Sequence, residues 1–161
     1  MGMQRIHGAR PPLLERLTDE YPLVPMERQP FKVLNKNELR ESVRREITWL
    51  LNTRSPIPQF MLERQTPVTM NYGIPDLFTL FHPLSPEKEL KLCALLERAI
   101  SSFEPRIKRA KVSFQRYDNG NRSLTLRLDG VITVENIVEQ LAFTVTLYNN
   151  MQGKAEVNEV R

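Results

Sequence analysis

The sequence predicts an α+β fold in which two main helices pack against a small, mainly antiparallel sheet of three or more strands. Two stretches with apolar residues at helical spacing come first, and stretches in which apolar and polar residues alternate follow them. Such alternation is typical of strands with one buried and one polar face. Asn119 and Gly120, between two of these stretches, form a strong hairpin signal. The length of 161 residues suits a single domain with its own core.

The first main helix is predicted from about Glu38 to Leu51. Asn35 or Asn37 can cap its start, and two prolines soon after Asn52 stop it. The apolar residues on its inner face are Leu39, Val43, Ile47, Leu50 and Leu51.

The second main helix is predicted to begin at Ser85, which can act as an N-cap, with Pro86 and Glu87 in the first turn. Pro105 prevents this helix from continuing and favours an extended conformation for Glu104. The buried face is traced by Leu92, Leu96, Ala99 or Ile100, and Phe103.

Three strands are predicted after this helix, each with one face packed on the helices and one polar face. In the first, Ala110, Val112 and Phe114 share one face, and Arg109, Lys111, Ser113 and Gln115 share the other. In the second, Leu124, Leu126 and Leu128 alternate with Ser123, Thr125 and Arg127. In the third, Leu141, Phe143, Val145 and Leu147 alternate with Ala142, Thr144 and Thr146.

The domain itself is predicted to span residues 37–150, with a segment outside it at each end. Residues 1–36 are rich in proline and mixed charge, and we interpret them as an extended N-terminal arm with one helical turn around Leu13 to Leu17. Residues 151–161 are interpreted as a polar C-terminal tail. Between the helices lies a proline-rich connection with the sequence "NYGIPDLF", where Gly73 can adopt a positive φ.

The composition narrows the function classes. A single cysteine and two scattered histidines are not a disulfide framework or a zinc-site spacing. No apolar run approaches the roughly 20 residues that cross a bilayer, and the first residues contain no apolar signal region. We therefore expect a cytoplasmic protein.

The net charge of +4 is unevenly distributed along the chain. Residues 104–127 hold seven Lys or Arg against two acids, a net charge of +5 in that segment alone. A basic segment of this kind can bind nucleic acid or an acidic protein surface.

Catalytic signatures are sparse. The candidates for a catalytic carboxyl group are Glu46, Asp76 and Glu104. The basic residues beside Glu104 would lower its pKa and make it a poor general acid. The sequence has no Gly-x-Ser-x-Gly motif and no phosphate-cradling glycine loop. We therefore expect a protein that is not an enzyme, with no cofactor and no metal site.

The stretch "SSFEPRIKRAKV" places Glu104 where a helix ends, beside Pro105 and a run of basic residues. A negatively charged side chain at a helix C-terminus lowers the stability of the helix by up to about 1 kcal/mol unless a nearby cation compensates its charge. Glu104 and Arg106 point the same way in extended chain, so they can form a surface ion pair of little value, or they can bind a partner. The residues alone leave both interpretations open.

Four segments, taken in order, resemble one known family. They are "LLERLTDE" near the start, "LRESVRREITWLLNTR" at 39–54, "YGIPDL" at 72–77 and "AISSFEPRIKRAKV" at 99–112. Together they are similar to the TssE family, baseplate components of bacterial type VI secretion systems, and through it to the baseplate wedge proteins of contractile phage tails. The resemblance covers residues from about Leu13 to Leu147.

The resemblance implies a structural protein of the baseplate wedge, next to TssF and TssG with TssK nearby, at the start of the contractile TssB and TssC sheath. It implies no nucleic-acid partner and no membrane insertion, with the protein at the membrane-docked baseplate on the cytoplasmic side. A free edge of the small sheet would template the sheath by strand addition. A peptidoglycan hydrolase and a small basic nucleic-acid binder or adaptor are the competing interpretations.

The family's Glu-Pro-Arg motif maps onto Glu104, Pro105 and Arg106, so charges unmet within this chain would be met across an interface. The residues predicted to bind partners, all within the similar segments, are Glu104, Pro105, Arg106, Lys108, Arg109, Tyr72, Gly73, Pro75, Asp76 and Arg54.

Overall fold

The protein is described by a computed structural model over residues 8–18, 22–23, 33–57, 71–77, 85–135, 137–148 and 154–160. Within these residues three helices are followed by an antiparallel sheet of four strands, which confirms the predicted α+β class. The elements are α1 (Leu13–Leu17), α2 (Lys36–Asn52), α3 (Pro86–Phe103), β1 (Ile107–Asp118), β2 (Ser123–Val134), β3 (Ile137–Tyr148) and β4 (Ala155–Glu159).

Both main helices begin at side-chain caps. Asn35 Oδ1 accepts a hydrogen bond from the Glu38 N–H at 3.0 Å, and Glu38 Oε2 accepts one from the Asn35 N–H at 2.8 Å. This reciprocal capping box decides between the two predicted caps in favour of Asn35. At the start of α3, Ser85 Oγ accepts from the Lys88 N–H at 3.4 Å, and Pro86 occupies the first turn. The predicted helix starts are thus confirmed to within two residues.

The sheet has the order β1-β2-β3-β4, so that every strand lies beside its neighbour in sequence. Asp118 pairs with Ser123, which leaves a connection of residues 119–122. The Asp118 carboxylate closes this turn by accepting from the Gly120 N–H at 2.9 Å. The predicted hairpin is therefore present, with a four-residue turn in place of the two-residue turn that Asn-Gly pairs favour.

The first strand, β1, pairs irregularly with β2 within the stretch in which apolar and polar residues alternate. Lys108 pairs with Val131 and Lys111 pairs with Asp129, so two residues of β1 lie opposite Gly130 alone. This β-bulge holds Arg109 at a φ of 55°, and a second register shift lies between Phe114 and Arg116. These two shifts interrupt the alternation that was predicted from Arg109 to Gln115 near both ends of that stretch.

The core lies between the inner face of the sheet and the two main helices. The inward residues predicted for α2 are all buried, and so are four of those predicted for α3. Each fully buried aliphatic side chain contributes about 1.5–3 kcal/mol, so this layer accounts for most of the stabilisation. The largest buried side chains are Phe143, Leu34, Leu39, Ile47, Leu50, Leu51, Ile74, Leu92, Leu96, Ile100, Leu124 and Leu126.

The predicted polar tail is wrong for residues 155–159, which form β4 along β3. Ala155 and Val157 are buried there, although charged and polar neighbours hide their alternation in the sequence.

The N-terminal arm also contributes to the core. Ala9 and Leu34 exchange backbone hydrogen bonds of 3.0 and 2.8 Å, and both are buried. The predicted helical turn around Leu13 to Leu17 is confirmed as α1. Residues 1–7, 19–21, 24–32 and 151–153, which the predicted arm and tail include, lie outside the described residues.

Candidate functional site

The site begins with the backbone of the corner at which α3 ends and β1 starts. The Glu104 N–H donates to the Ile100 carbonyl at 2.8 Å, and the Glu104 carbonyl accepts from the Ile107 N–H at 3.1 Å. On the far side, the Arg106 carbonyl accepts from the Thr133 N–H at 2.8 Å. Helix, strand and neighbouring strand therefore fix the backbone of the Glu104-Pro105-Arg106 corner.

Glu104 and Arg106 bind each other inside this corner. Arg106 Nε donates to Glu104 Oε1 at 2.7 Å, and Arg106 Nη2 donates to Glu104 Oε2 at 2.6 Å. Their side chains are only 5% and 16% exposed. The expectation that these charges are unmet within the chain is wrong, because the pair is bidentate and buried. It is not a surface ion pair either.

The pair is connected to both α1 and α2. Arg106 Nη1 donates to Ser42 Oγ at 3.0 Å, and Ser42 Oγ donates to Glu15 Oε1 at 2.8 Å. Arg45 also donates to Glu15. We call Glu15, Ser42, Arg45, Glu104 and Arg106 the ionic cluster. α1 thus turns its acid inward and leaves its leucines, Leu13, Leu14 and Leu17, exposed.

Burial and the charges of the cluster shift the pKa values of Arg106 and of the neighbouring Glu46. Burial raises the pKa of Glu46, and the negative charges of Glu104 and Glu15 raise it further against the opposing effect of Arg106. Burial acts to lower the pKa of Arg106, but the hydrogen bonds and charge of Glu104 outweigh it, so the pKa is raised. The Arg106 guanidinium and the Glu104 carboxylate therefore stabilise each other as an ion pair.

The loop of residues 71–77 closes the corner from the other side. The Tyr72 ring packs edge-to-face on Phe103, with ring centroids 5.3 Å apart. Burial, followed by the charges of Glu46 and Glu104, raises the pKa of Tyr72 to about 12, so its hydroxyl stays protonated. Gly73 has a φ of 115°, and a Cβ there would lie 2.5 Å from the Thr53 carbonyl oxygen. Only a glycine fits this approach.

The same loop is fixed to the end of α2. Ile74 and Arg54 form a parallel bridge, with the Ser55 N–H donating to the Ile74 carbonyl at 2.9 Å. Ile74, Pro75 and Leu77 are buried, whereas Asp76 and Arg54 are exposed. The loop therefore works in this structure as a packed plug with a charged rim.

The predicted partner-binding residues divide into two groups by exposure. Five are buried or half-buried: Glu104, Arg106, Tyr72, Gly73 and Pro75. Five are exposed: Pro105, Lys108, Arg109, Asp76 and Arg54. Partner binding by any of the ten stays a prediction.

Sequence reasoning missed Glu15 and Ser42. They are 27 residues apart and reach Arg106 only through the fold. A weak signal was present in α2, where Ser42, Arg45 and Glu46 recur at helical spacing beside the apolar face.

Helix side chains occupy the edges of the sheet at several positions. On β1, the Val112 N–H donates to Glu97 Oε1 of α3 at 2.8 Å. On β4, the Asn52 side chain both accepts from the Ala155 N–H and donates to the Ala155 carbonyl, each at 2.9 Å. Arg44 Nη1 donates to the Val157 carbonyl at 3.1 Å. The expected free edges are therefore partly capped within the chain itself.

The chain was compared with known proteins. A family model described as baseplate wedge protein gp25 matches residues 37–137, more than half of the chain. The match runs from the start of α2 into β3, so it contains the whole corner apart from α1. A search of curated proteins finds no match. Among the described residues, no helix is long and apolar enough to cross a membrane, and no group of side chains could hold a metal ion.

Proposed function

We propose that this chain, which belongs to the baseplate wedge protein gp25 family, is the wedge subunit of a type VI secretion baseplate. The observation that carries the proposal is the family match over residues 37–137, because that range holds both main helices and the corner between α3 and β1. The family is one of structural baseplate proteins, which agrees with the lack of a catalytic signature in the sequence. The four segments similar to the TssE family favour the secretion system over a phage tail.

The geometry supports a docking role for the corner. The buried pair of Glu104 and Arg106 holds the backbone rigid, and it leaves Pro105 and Lys108 exposed on the outside. A surface that is already ordered loses little conformational entropy when a partner binds. We propose that TssF, TssG and TssK are the neighbours that this part of the wedge contacts, on the cytoplasmic side of the membrane-docked baseplate.

Contact with the TssB and TssC sheath would use the β4 edge. A sheath strand added there must replace the hydrogen bonds that Asn52 and Arg44 make to the β4 backbone. A strand offers the same kinds of donor and acceptor, so the exchange is nearly balanced in hydrogen bonds. We propose that templating of the sheath proceeds by this exchange.

The experiment is co-purification of the tagged chain with TssF, TssG and TssK expressed together. The wild type is expected to bring down the three subunits, and Lys108→Gln is expected to weaken the complex while circular dichroism stays unchanged. Lys91→Gln is the matched control, because Lys91 is an exposed lysine on α3 about 20 Å along the helix from Glu104. A wild type that captures none of the three subunits would overturn the proposal.

A further inference from the structure

A groove of about 420 Å³ lies on the outer face of the sheet, with Arg40 of α2 among its lining residues. We call it the outer groove. Arg127, Asp129 and Val131 of β2 alternate with buried residues, so they point to this face. Arg109 of the β1 bulge forms one side, and Gln140 of β3 forms the other. No part of the ionic cluster lines it.

The positive charges of the outer groove differ in what they already bind. Arg127 Nε contacts both carboxylate oxygens of Asp129 at 2.9 Å. Arg40, at the end of the groove, donates to Glu139 at 2.9 Å. Across the described part of the chain, by contrast, the Arg109 guanidinium has no ion-pair or hydrogen-bond partner, and its side chain is exposed.

Arg109 is held in this place at a conformational cost. Its φ of 55° is in the left-handed region, which costs a non-glycine residue about 1–2 kcal/mol. The bulge forces that backbone, and the space opposite is closed because a Cβ on Gly130 would lie 2.8 Å from Ile107 Cγ2. A glycine or asparagine would satisfy the bulge at a lower cost. Packing therefore does not explain an arginine here, whereas a ligand for its guanidinium would.

We propose that the outer groove binds an acidic segment of a neighbouring baseplate protein, with an Asp or Glu carboxylate of that segment paired to Arg109. A carboxylate is the planar group that a guanidinium binds bidentately. Arg127 and Arg40 are already paired with Asp129 and Glu139, so the charge with which the groove complements an acidic chain is that of Arg109. The inference rests on the proposed function, because the neighbour is a subunit of the same baseplate.

A peptide fits this groove better than nucleic acid does. Arg109 is the one arginine of the groove without a described partner, which suits a single carboxylate better than a row of phosphates, and Gln140, Val131 and Ala142 add uncharged surface beside it. None of the described residues that line the groove is aromatic, so bases have no platform to stack on.

The test compares Arg109→Gly with Arg122→Gly in binding to the TssF, TssG and TssK complex. Arg122 is a matched control, because it is also an exposed arginine with a positive φ, of 47°, and it lies in the β1–β2 turn outside the groove. Both variants relieve a strained backbone, so both are expected to keep or raise the melting temperature. Only Arg109→Gly is expected to weaken binding, by about tenfold or more, as loss of a charge-assisted bidentate contact would.

A photo-crosslinking residue at Gln140 identifies what occupies the groove in the assembled complex. Cross-links to a TssF, TssG or TssK segment that contains Asp or Glu are expected, and reversal of that acid to Arg should restore binding to Arg109→Glu. Equal binding by Arg109→Gly and wild type, cross-links to a segment without acids, or binding of single-stranded DNA that needs Arg109 would each overturn the inference. If the wild type binds the complex but these results appear, the proposed function survives; if it binds nothing, both fail.

Discussion

Arg106 and Arg109 are three residues apart, yet they serve opposite purposes. The Arg106 side chain is half-buried, and its guanidinium hydrogen-bonds to Glu104 and Ser42. Arg109 is exposed on a strained bulge, with no partner in the described part of the chain. The comparison teaches that a basic run is not one functional unit. Its first residue, Arg106, stabilises the fold, and a later one, Arg109, faces outward.

The two positions should therefore respond to substitution in opposite ways. Breaking a buried ion pair leaves one charge without a partner in a poorly hydrated place, whereas changing an exposed residue usually shifts stability by only about 0.5 kcal/mol. For Arg109, stability and partner binding should separate, while for Arg106 they should fall together. The predictions below test this division, beginning with the largest expected effect.

Arg106→Ala is expected to lower the free energy of unfolding by about 3–5 kcal/mol, because it leaves the Glu104 carboxylate buried and unpaired. Urea denaturation at neutral pH measures this loss. The Glu104→Ala and Arg106→Ala double variant should lose less than the sum of the two single variants. Lys108→Ala is the exposed control. A loss under about 1 kcal/mol for Arg106→Ala would mean that the corner does not depend on the pair.

Gly73→Ala sharpens the comparison between the two positive-φ positions, Gly73 and Arg109. At Gly73 a Cβ would collide with the Thr53 carbonyl oxygen at 2.5 Å, so we expect a loss of about 1–3 kcal/mol. Arg109→Gly, the reverse change at the other position, should cause no loss. Thermal unfolding of both variants gives the answer. Loss of stability in Arg109→Gly would show that the arginine supports the fold after all.

Asn52→Ala tests whether α2 helps to hold the β4 edge. The variant removes two hydrogen bonds of 2.9 Å to the Ala155 backbone, and we expect a loss of about 1–2 kcal/mol. Hydrogen exchange should show faster exchange at the Ala155 amide than in the wild type, with little change in β2. Thr53→Ala, at the same helix end, is the control, because its hydroxyl donates to the Trp49 carbonyl within α2. Unchanged protection of Ala155 would show that β3 alone holds the strand.

Sequence patterns predicted the elements with regular apolar spacing. They failed where the structure depends on contacts between residues that are far apart in the sequence. The caps at Asn35 and Ser85 and the inner faces of α2 and α3 follow from local spacing. By contrast, β4 is buried by contact with β3, which its own polar sequence does not reveal. Glu104 was recognised as unusual from local rules, but its partner Arg106 also binds Ser42, and Ser42 binds Glu15, two residues that only the fold brings near.

The bulge at Arg109 shows the same limit. Lys108 to Lys111 reads as regular strand, and nothing in those residues announces a positive φ. The irregularity comes from pairing with β2, where two residues of β1 face Gly130 alone. Regular alternation therefore predicted the strand, but it placed Arg109 in a regular row rather than at a bulge that re-aims its side chain.

The smallest expected effect concerns the pH dependence of stability that arises at Glu46, a neighbour of the ionic cluster. Burial, with the charges of Glu104 and Glu15, raises the pKa of Glu46 in the folded protein. A carboxyl with a higher pKa when folded binds more protons in the folded state, so its contribution to stability is present below its unfolded pKa and is lost as the pH rises through the folded pKa. Glu46→Gln should remove this decline and raise stability at neutral pH by about 0.5 kcal/mol.

Urea denaturation of Glu46→Gln and wild type at a series of pH values measures the difference between the two curves. The curves should meet at low pH, where Glu46 is protonated in both states, and separate as the pH rises. Glu41→Gln is the contrasting control, because hydrogen bonding to Arg44 lowers the pKa of Glu41. Its exposed pair with Arg44 should make the wild type slightly more stable above the unfolded pKa, the opposite sign. Curves for Glu46→Gln and wild type that stay parallel across the whole pH range would contradict the prediction. They would show that the pKa of Glu46 is not shifted by folding, so that the pair of Glu104 and Arg106 does not affect its neighbour.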